Sequence, residues 1–495
     1  MDIKNYVKRN VLNFKSQVLD KAYATKDDLA NIDGKSAYEQ AVEGGYTGTE
    51  AEFEQALANI GNISENTGET LNIKSKYMMG ENIVAGTKMA YYDEAKKSLY
   101  YHGRNHKDGT VSKLTEISFV GVPHLVQSSD AGISSIPFAD GTPHVRGIKK
   151  FGDYLFVAVR SNKPNIPTTE DGVWGALMCI RQNDLSTVWT KTITGKCTGV
   201  DIYEAKNGKI YLALPCQMSF IQFYLINPND YTDVTLVDTQ YHNRYKDVEG
   251  WGNNYNKDVQ ETQQGHFYEK ADGQVLYISC GFGDGVHIWD VTDMSSSVRP
   301  TLYNWNGFAH ADIWKVDNML AQHTFDCVIN YPYVYCTIAP STTIINYDNT
   351  NGTTLRRAGI LTIDISNLSN IQATMQLVPI DKRPTFENEG DPRPTSIAQV
   401  GNKLFINNGN IGVTMFDVTD PSTPVYADSF KYDFYNIGYL IATSDKELIL
   451  VDDPGNQSSA DGGNDKYRAK KFIELYKIDT NAWISDIDFS DIEGV

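Results

Sequence analysis

Residues 401–430 read GNKLFINNGNIGVTMFDVTDPSTPVYADSF. Leu404 to Asn407 is a strand run opened by a Gly-Asn turn, and Gly412 to Val418 is a second run with alternating apolar residues. Thr419-Asp420-Pro421-Ser422-Thr423-Pro424 follows as a turn: proline presets φ, and the Asp and Ser side chains can hydrogen-bond local backbone. A third strand begins at Val425. Three short strands cannot bury two faces by themselves, so the stretch predicts a unit that must be repeated.

The repeats are present. An acidic turn after an apolar strand recurs at Trp289-Asp290-Val291-Thr292-Asp293 and at Ile363-Asp364-Ile365-Ser366-Asn367. Looser versions stand at Ile180–Asp184, Leu225–Asn229 and Lys477–Thr480, and a weaker one near Ser118-Phe119-Val120. The strand preceding each turn gives an independent count, at Leu99–Tyr101, Tyr154–Val157, Ile210–Leu212, Val275–Ile278, Tyr333–Tyr335, Leu404–Ile406 and Leu448–Val451. Both counts reach seven, at a spacing of about 45 to 70 residues, and a further strand precedes each run, as at Val145–Lys150 and Thr395–Val400. Four strands per unit and seven units predict a mainly β fold, a seven-bladed β-propeller over 87–495. The best units resemble the LVIVD-repeat propellers, whose blades read as an apolar strand followed by D-[VI]-[ST]-[DN]-P-x-x-P.

Composition sets the limits. The chain has 495 residues, 41% hydrophobic, with 30 Tyr and a net charge of −18. That charge argues against a nucleic-acid or anionic-membrane binder, because phosphate contacts need a basic face. No apolar run is long enough to span a bilayer, and the N-terminus lacks the apolar stretch of a signal peptide, so synthesis in a cytoplasm is expected. All six Cys (179, 197, 216, 280, 327 and 336) fall in the repeats without a CxxC pair. Reduced, buried thiols are expected, with no metal and no cofactor.

Ahead of the repeats, residues 1–33 read as a helix. Ile3, Val7, Val11, Phe14 and Val18 form one apolar stripe, and Lys8, Arg9, Lys15 and Lys21 make it the basic part of an acidic chain. A lone helix of this size is marginal in water. It must therefore pack on copies of itself, on a partner or on its own propeller. Residues 34–61, GKSAYEQAVEGGYTGTEAEFEQALANIG, read as two short helices, with Thr49 and Glu52 forming a capping box. So small a segment cannot be stable alone and needs neighbours. Residues 62–86 are polar and Gly-containing and read as a linker, although Thr70 to Tyr77 could instead complete the last blade, in competition with Ala482 to Phe489.

The 34–61 stretch closely resembles the GKSAYE-x-AVE-x-G[YF]-x-GTE-x-E[FW] module of bacteriophage fibre proteins, head fibres among them. Gly34, Lys35, Ser36, Ala37, Tyr38, Glu39, Ala41, Val42, Glu43, Gly45, Tyr46, Gly48, Thr49, Glu50, Glu52 and Phe53 match it. The resemblance implies a segment between a virion attachment and a distal domain. It implies attachment to capsid or other virion proteins through Ile3, Val7, Val11, Phe14 and Val18, self-association as a trimer, and a place on the virion exterior. The collagen-like run that often precedes the module is absent, so the fibre would be short.

The repeats offer several candidates for chemistry. His144, His266 and His323 each stand in or just before the first strand of a unit, and first strands line a propeller's channel. They could converge as a metal or general-base site, or could recur simply because the scaffold repeats. Asp290, Asp364 and Asp417 cap turn amides. The acidic loops 386–394 and 452–465 either hold Ca²⁺ or are solvated. Residues 241–264, with Trp251 and Tyr255, and residues 303–310, with Tyr303, Trp305 and His310, are rich in aromatics and amides. Such loops suit sugar rings or protein partners, or else pack on themselves. No triad, phosphate loop or zinc motif is legible. The expected function is a non-enzymatic head fibre binding host-surface polysaccharide. The alternatives are a tail fibre or receptor-binding protein and a polysaccharide depolymerase; a decoration protein is a third.

Overall fold

The structure is a computed structural model that describes residues 72–78, 83–85, 89–105, 113–161, 172–217, 220–241, 261–282, 285–303, 315–316, 319–320, 324–338, 358–379, 394–407, 413–430, 437–452 and 474–479. The expected helix at 1–33 and module at 34–61 lie outside them, as does the competing 482–489 segment. The chain divides into two compact units, and the sheets belong to the one spanning Ile73–Thr480.

Among the described residues there are seven sheets of four or more strands. Five are four-stranded antiparallel meanders; the first adds a fifth strand, with Ile83–Ala85 and Tyr91–Asp93 both paired to Ser98–Asn105, and the seventh takes its outer strand from the start of the unit. The sixth sheet, Ile397–Val400, Lys403–Asn407, Val413–Asp417 and Val425–Phe430, is the stretch from which the repeat was read. All seven apolar runs singled out in the sequence are second strands: Ser98–Asn105, Tyr154–Ser161, Ile210–Cys216, Val275–Phe282, Tyr333–Ile338, Lys403–Asn407 and Glu447–Asp452. A second strand is covered by neighbours on both faces, so its sequence is continuously apolar. Ile210–Cys216 is buried at every position. Fourth strands lie at the perimeter and read accordingly, as in the half-exposed Gln372–Leu377.

The sheets close into a ring, which makes the unit a β-propeller. Consecutive sheets share apolar cores. Tyr100 and Leu114 of the first pack with Val157 and Met178 of the second. Phe156 and Leu177 pack with Leu212 and Leu214 of the third, and Phe223 packs with Tyr277 and Trp289 of the fourth. Ile278 and Cys280 meet Cys336 and Leu361 of the fifth, and Tyr335 meets Leu404 and Phe416 of the sixth. Ser396 of the sixth sheet then accepts a bond from the Leu440 amide of the seventh at 3.1 Å. Ile449 and Val451 of the seventh pack on Leu99 and Tyr101 of the first, which completes the circle. Each fully buried side chain of this kind contributes about 1.5–3 kcal/mol.

One boundary differs from the sequence reading. The stretch 62–86 is not all linker: Asn72–Met78 is the outermost strand of the seventh sheet, hydrogen-bonded to Glu474–Asp479, and Ile83–Ala85 pairs in the first sheet. A perimeter strand needs no apolar run, so NIKSKYM carries little strand signal. The two ends of the propeller thus share one sheet, the arrangement raised for Thr70 to Tyr77.

The turn signature has a common cause. Asp290, Asp364 and Asp417 each accept the amide two residues on, from Thr292 at 3.0 Å, Ser366 at 2.8 Å and Thr419 at 2.7 Å. Asp184 and Asn227 do the same at the looser copies. These side chains replace a backbone turn bond, which is why Asp and Asn recur there.

Candidate functional site

The meander sorts the connections onto two faces. Strand one to two and strand three to four turn on one face; strand two to three and the crossing to the next sheet turn on the other. The first face carries short links such as 152–153, 331–332 and 401–402. The second carries all the longest connections: 242–260, 303–323, 339–358, 378–396 and 453–473. The aromatic segments and both acidic loops of the sequence reading therefore leave from the same face. Connections 242–260 and 303–323 flank the fourth sheet on its two sides. Trp251, Tyr255, Trp305, His310 and His323 belong to them and lie outside the described residues.

Tyr303 is described, and it is engaged in the fold. Its hydroxyl donates to Asp290 Oδ2 at 3.3 Å and accepts from Gln274, while its ring packs against the core of the fourth and fifth sheets. Trp174 is likewise buried, beneath the Lys196 ammonium. Tyr331 is exposed and stacks on Tyr268 at 5.6 Å and 8° on the short-turn face. Sequence reading missed this pair because Tyr268 and Tyr331 come from different sheets.

The first strands carry a second constellation. Their pairing is irregular at a similar depth in several sheets, between Val145 and Gly147, between Thr262 and Gly265, and between Thr324 and Cys327. Bulges re-aim side chains, here those of first strands beside the channel. Lys149 Nζ meets Asp201 Oδ1 at 2.7 Å. Asp201 Oδ2 accepts the Phe267 amide at 2.9 Å and lies 3.8 Å from His266 Nδ1. His266 Nε2 contacts Asp326 Oδ1 at 2.9 Å. Asp326 also accepts the amides of Cys327 and Ile397. Five successive sheets are thus joined through four side chains. Burial pulls the His266 pKa down, but the bond to Asp326 and the charges of Asp326 and Asp201 outweigh it and leave it raised. Burial raises the Asp326 carboxyl, more than its bond to His266 lowers it. The Asp326 and Asp201 carboxylates therefore favour the protonated imidazole of His266. The His266 side chain is 25% exposed while Asp326 and Asp201 are walled in, so solvent reaches the group at the imidazole and at Lys149.

His144 does not join this group. It is buried on the long-loop side of its bulge, opposite Arg160 in register, whereas His266 lies on the short-turn side of its own. Between His144 and Lys149, Arg146 is 3% exposed, and its Nε and Nη1 have no hydrogen-bond partner. Residues 144–149 gave no sign of this, since a bulge is not visible in sequence. Three cysteines from two sheets, Cys280, Cys327 and Cys336, also gather with their Sγ atoms within 4.8 Å of one another.

No family model matches the sequence, and no curated protein matches it. Among solved structures, the chain is similar to U3-55K, with 9% identity and a TM-score of 0.49 over 81% of this chain and 98% of that one. It is similar to the Myceliophteria thermophila Cps50 (Swd1) β-propeller domain, with 7% identity and a TM-score of 0.46 over 83% and 99%. It is similar also to the Neurospora crassa Pan2 WD40 domain, with 7% identity and a TM-score of 0.45 over 84% and 97%. The propeller assignment rests on the seven sheets and their closure, not on these likenesses.

Proposed function

We propose that the protein is a short bacteriophage head fibre whose propeller, seven-bladed with one blade per sheet, binds host-surface polysaccharide through its long-loop face. The observation that carries the fibre reading is the GKSAYE-type sequence at 34–61, immediately ahead of the propeller. On this reading residues 1–33 attach to capsid or other virion proteins and associate as a trimer, and the protein stands on the virion exterior. Many copies per particle offset weak binding by each domain. Support for a glycan ligand comes from the two aromatic-rich connections, which leave one face on either side of one sheet.

A second reading has its own support. His266, held between Asp201 and Asp326 on the channel wall, is the kind of group a depolymerase would use as a base. Against it, both carboxylates are already occupied by backbone amides.

Immunogold labelling of intact virions with antibody to the propeller tests the placement. Label on the head is expected. Label confined to the tail would replace this reading with a tail fibre, and unlabelled virions that lack the polypeptide would overturn both.

A further inference from the structure

We propose that Cys280, Cys327 and Cys336 form a three-thiolate site for a soft divalent cation of the zinc group. Cys327 and Cys336 face each other in register on adjacent strands of the fifth sheet. Cys280 reaches them from the second strand of the fourth sheet. Three sulfurs each bound at about 2.3 Å to one ion stand roughly 4 Å apart. The observed Sγ atoms, all within 4.8 Å of one another, need to close by less than one such bond length. Among the described residues no other three potential ligands gather in this way. Cys197 and Cys216 approach to 4.0 Å, but as a pair.

The donor set selects the ion. It contains sulfur alone, which disfavours calcium and magnesium and suits soft thiophilic ions. Burial selects the charge. All three thiols are at most 2% exposed among Ile278, Val286, Val334 and Leu361. Binding replaces three thiol protons, which leave to solvent, by one cation. A divalent ion leaves one net negative charge where a monovalent ion leaves two, and the smaller buried charge costs less. The Thr324 hydroxyl is engaged by the Gly281 amide and the Gly285 carbonyl, so the three sulfurs are the proposed ligands. Three-coordination favours the larger members of the group, of which cadmium is the convenient probe. The sequence shows no sign of the site, since its ligands come from three strands of two sheets. Metal enters during folding, because the closed sheets seal the thiols.

The test refolds the full chain under reducing, anaerobic conditions with Cd²⁺ and removes unbound metal. The expected result is about one cadmium per chain, a thiolate-to-cadmium absorption band in the ultraviolet, and a raised melting temperature. All six thiols are buried in the folded chain, so alkylation is run in urea near the unfolding midpoint, with and without Cd²⁺; peptide mass analysis should find that the metal protects Cys280, Cys327 and Cys336 beyond any change at Cys179, Cys197 and Cys216. Cys336→Val, a buried apolar replacement, should lower cadmium affinity by more than about tenfold, while Cys179→Ala keeps it. Less than about a tenth of an ion per chain would overturn the proposal. So would protection of other cysteines, or a Cys327–Cys336 disulfide in place of metal. If Cys336→Val fails to fold, the protection pattern of the native sequence decides.

Discussion

At the residue scale, Arg146 and His266 show opposite ways of placing a cation in the propeller wall. His266 has two carboxylates; Arg146, 3% exposed, has no hydrogen bond to Nε or Nη1. A buried charge without a partner is costly, and an apolar side chain of similar volume often stabilises by about 1–4 kcal/mol. Arg146→Met should therefore raise the urea midpoint with an unchanged slope. A fall of more than about 1 kcal/mol would mean that the guanidinium is bound in solution, by an anion or ordered water. His266 and Asp326 make a pH prediction. Both pKa values are raised in the folded state, above 6.5 and 3.8. The folded pair thus holds protons that the unfolded chain releases. Its stabilisation is complete below those unfolded values and is lost as pH rises through the folded ones. Asp417 acts oppositely, its pKa lowered to about 2 chiefly by Lys403, so its contribution disappears only in stronger acid. Unfolding free energy measured from about pH 5 to 8 should decline more steeply in the native protein than in His266→Gln. Parallel profiles would contradict a raised His266 pKa in the folded state. His266 could be named from sequence as a first-strand candidate, but its partners could not, because His266, Asp201 and Asp326 are neighbours only after three sheets have closed side by side.

At the scale of elements, legibility follows burial. Second strands were readable because cover on both faces demands continuous apolar runs. The Asp turns were readable because one side-chain bond recurs at each copy. The strand Asn72–Met78 was legible only as an alternative to a linker, because its perimeter position asks little of its sequence. Its importance is nonetheless structural. Without it, Glu474–Asp479 becomes an exposed edge with unpaired backbone groups, and the sheet in which the chain ends meet is left with three strands. A chain starting at residue 62 should melt cooperatively and stay soluble. A chain starting at residue 79 should melt several degrees lower and aggregate, as followed by circular dichroism and size-exclusion chromatography. Equal behaviour of the two would show that the strand does not close the ring.

At the scale of the whole molecule, the two faces differ. One carries the shorter turns and a stacked tyrosine pair; the other carries the longest connections, including those with Trp251, Tyr255 and Trp305. The chain's net charge of −18 disfavours phosphate backbones as partners, and on the proposed reading the ligand is a neutral sugar. The candidate loops could be named from composition, but their shared face could not. That face emerges only from the direction of each strand in the meander. The most direct test mixes the purified full chain with the host's surface polysaccharide and follows polymer mass by light scattering. The account predicts a rise in mass without later shortening, reversed by competing oligosaccharide. A steady fall would mean that the chain cuts the polymer and would contradict a non-enzymatic fibre. No change would contradict the glycan-binding face.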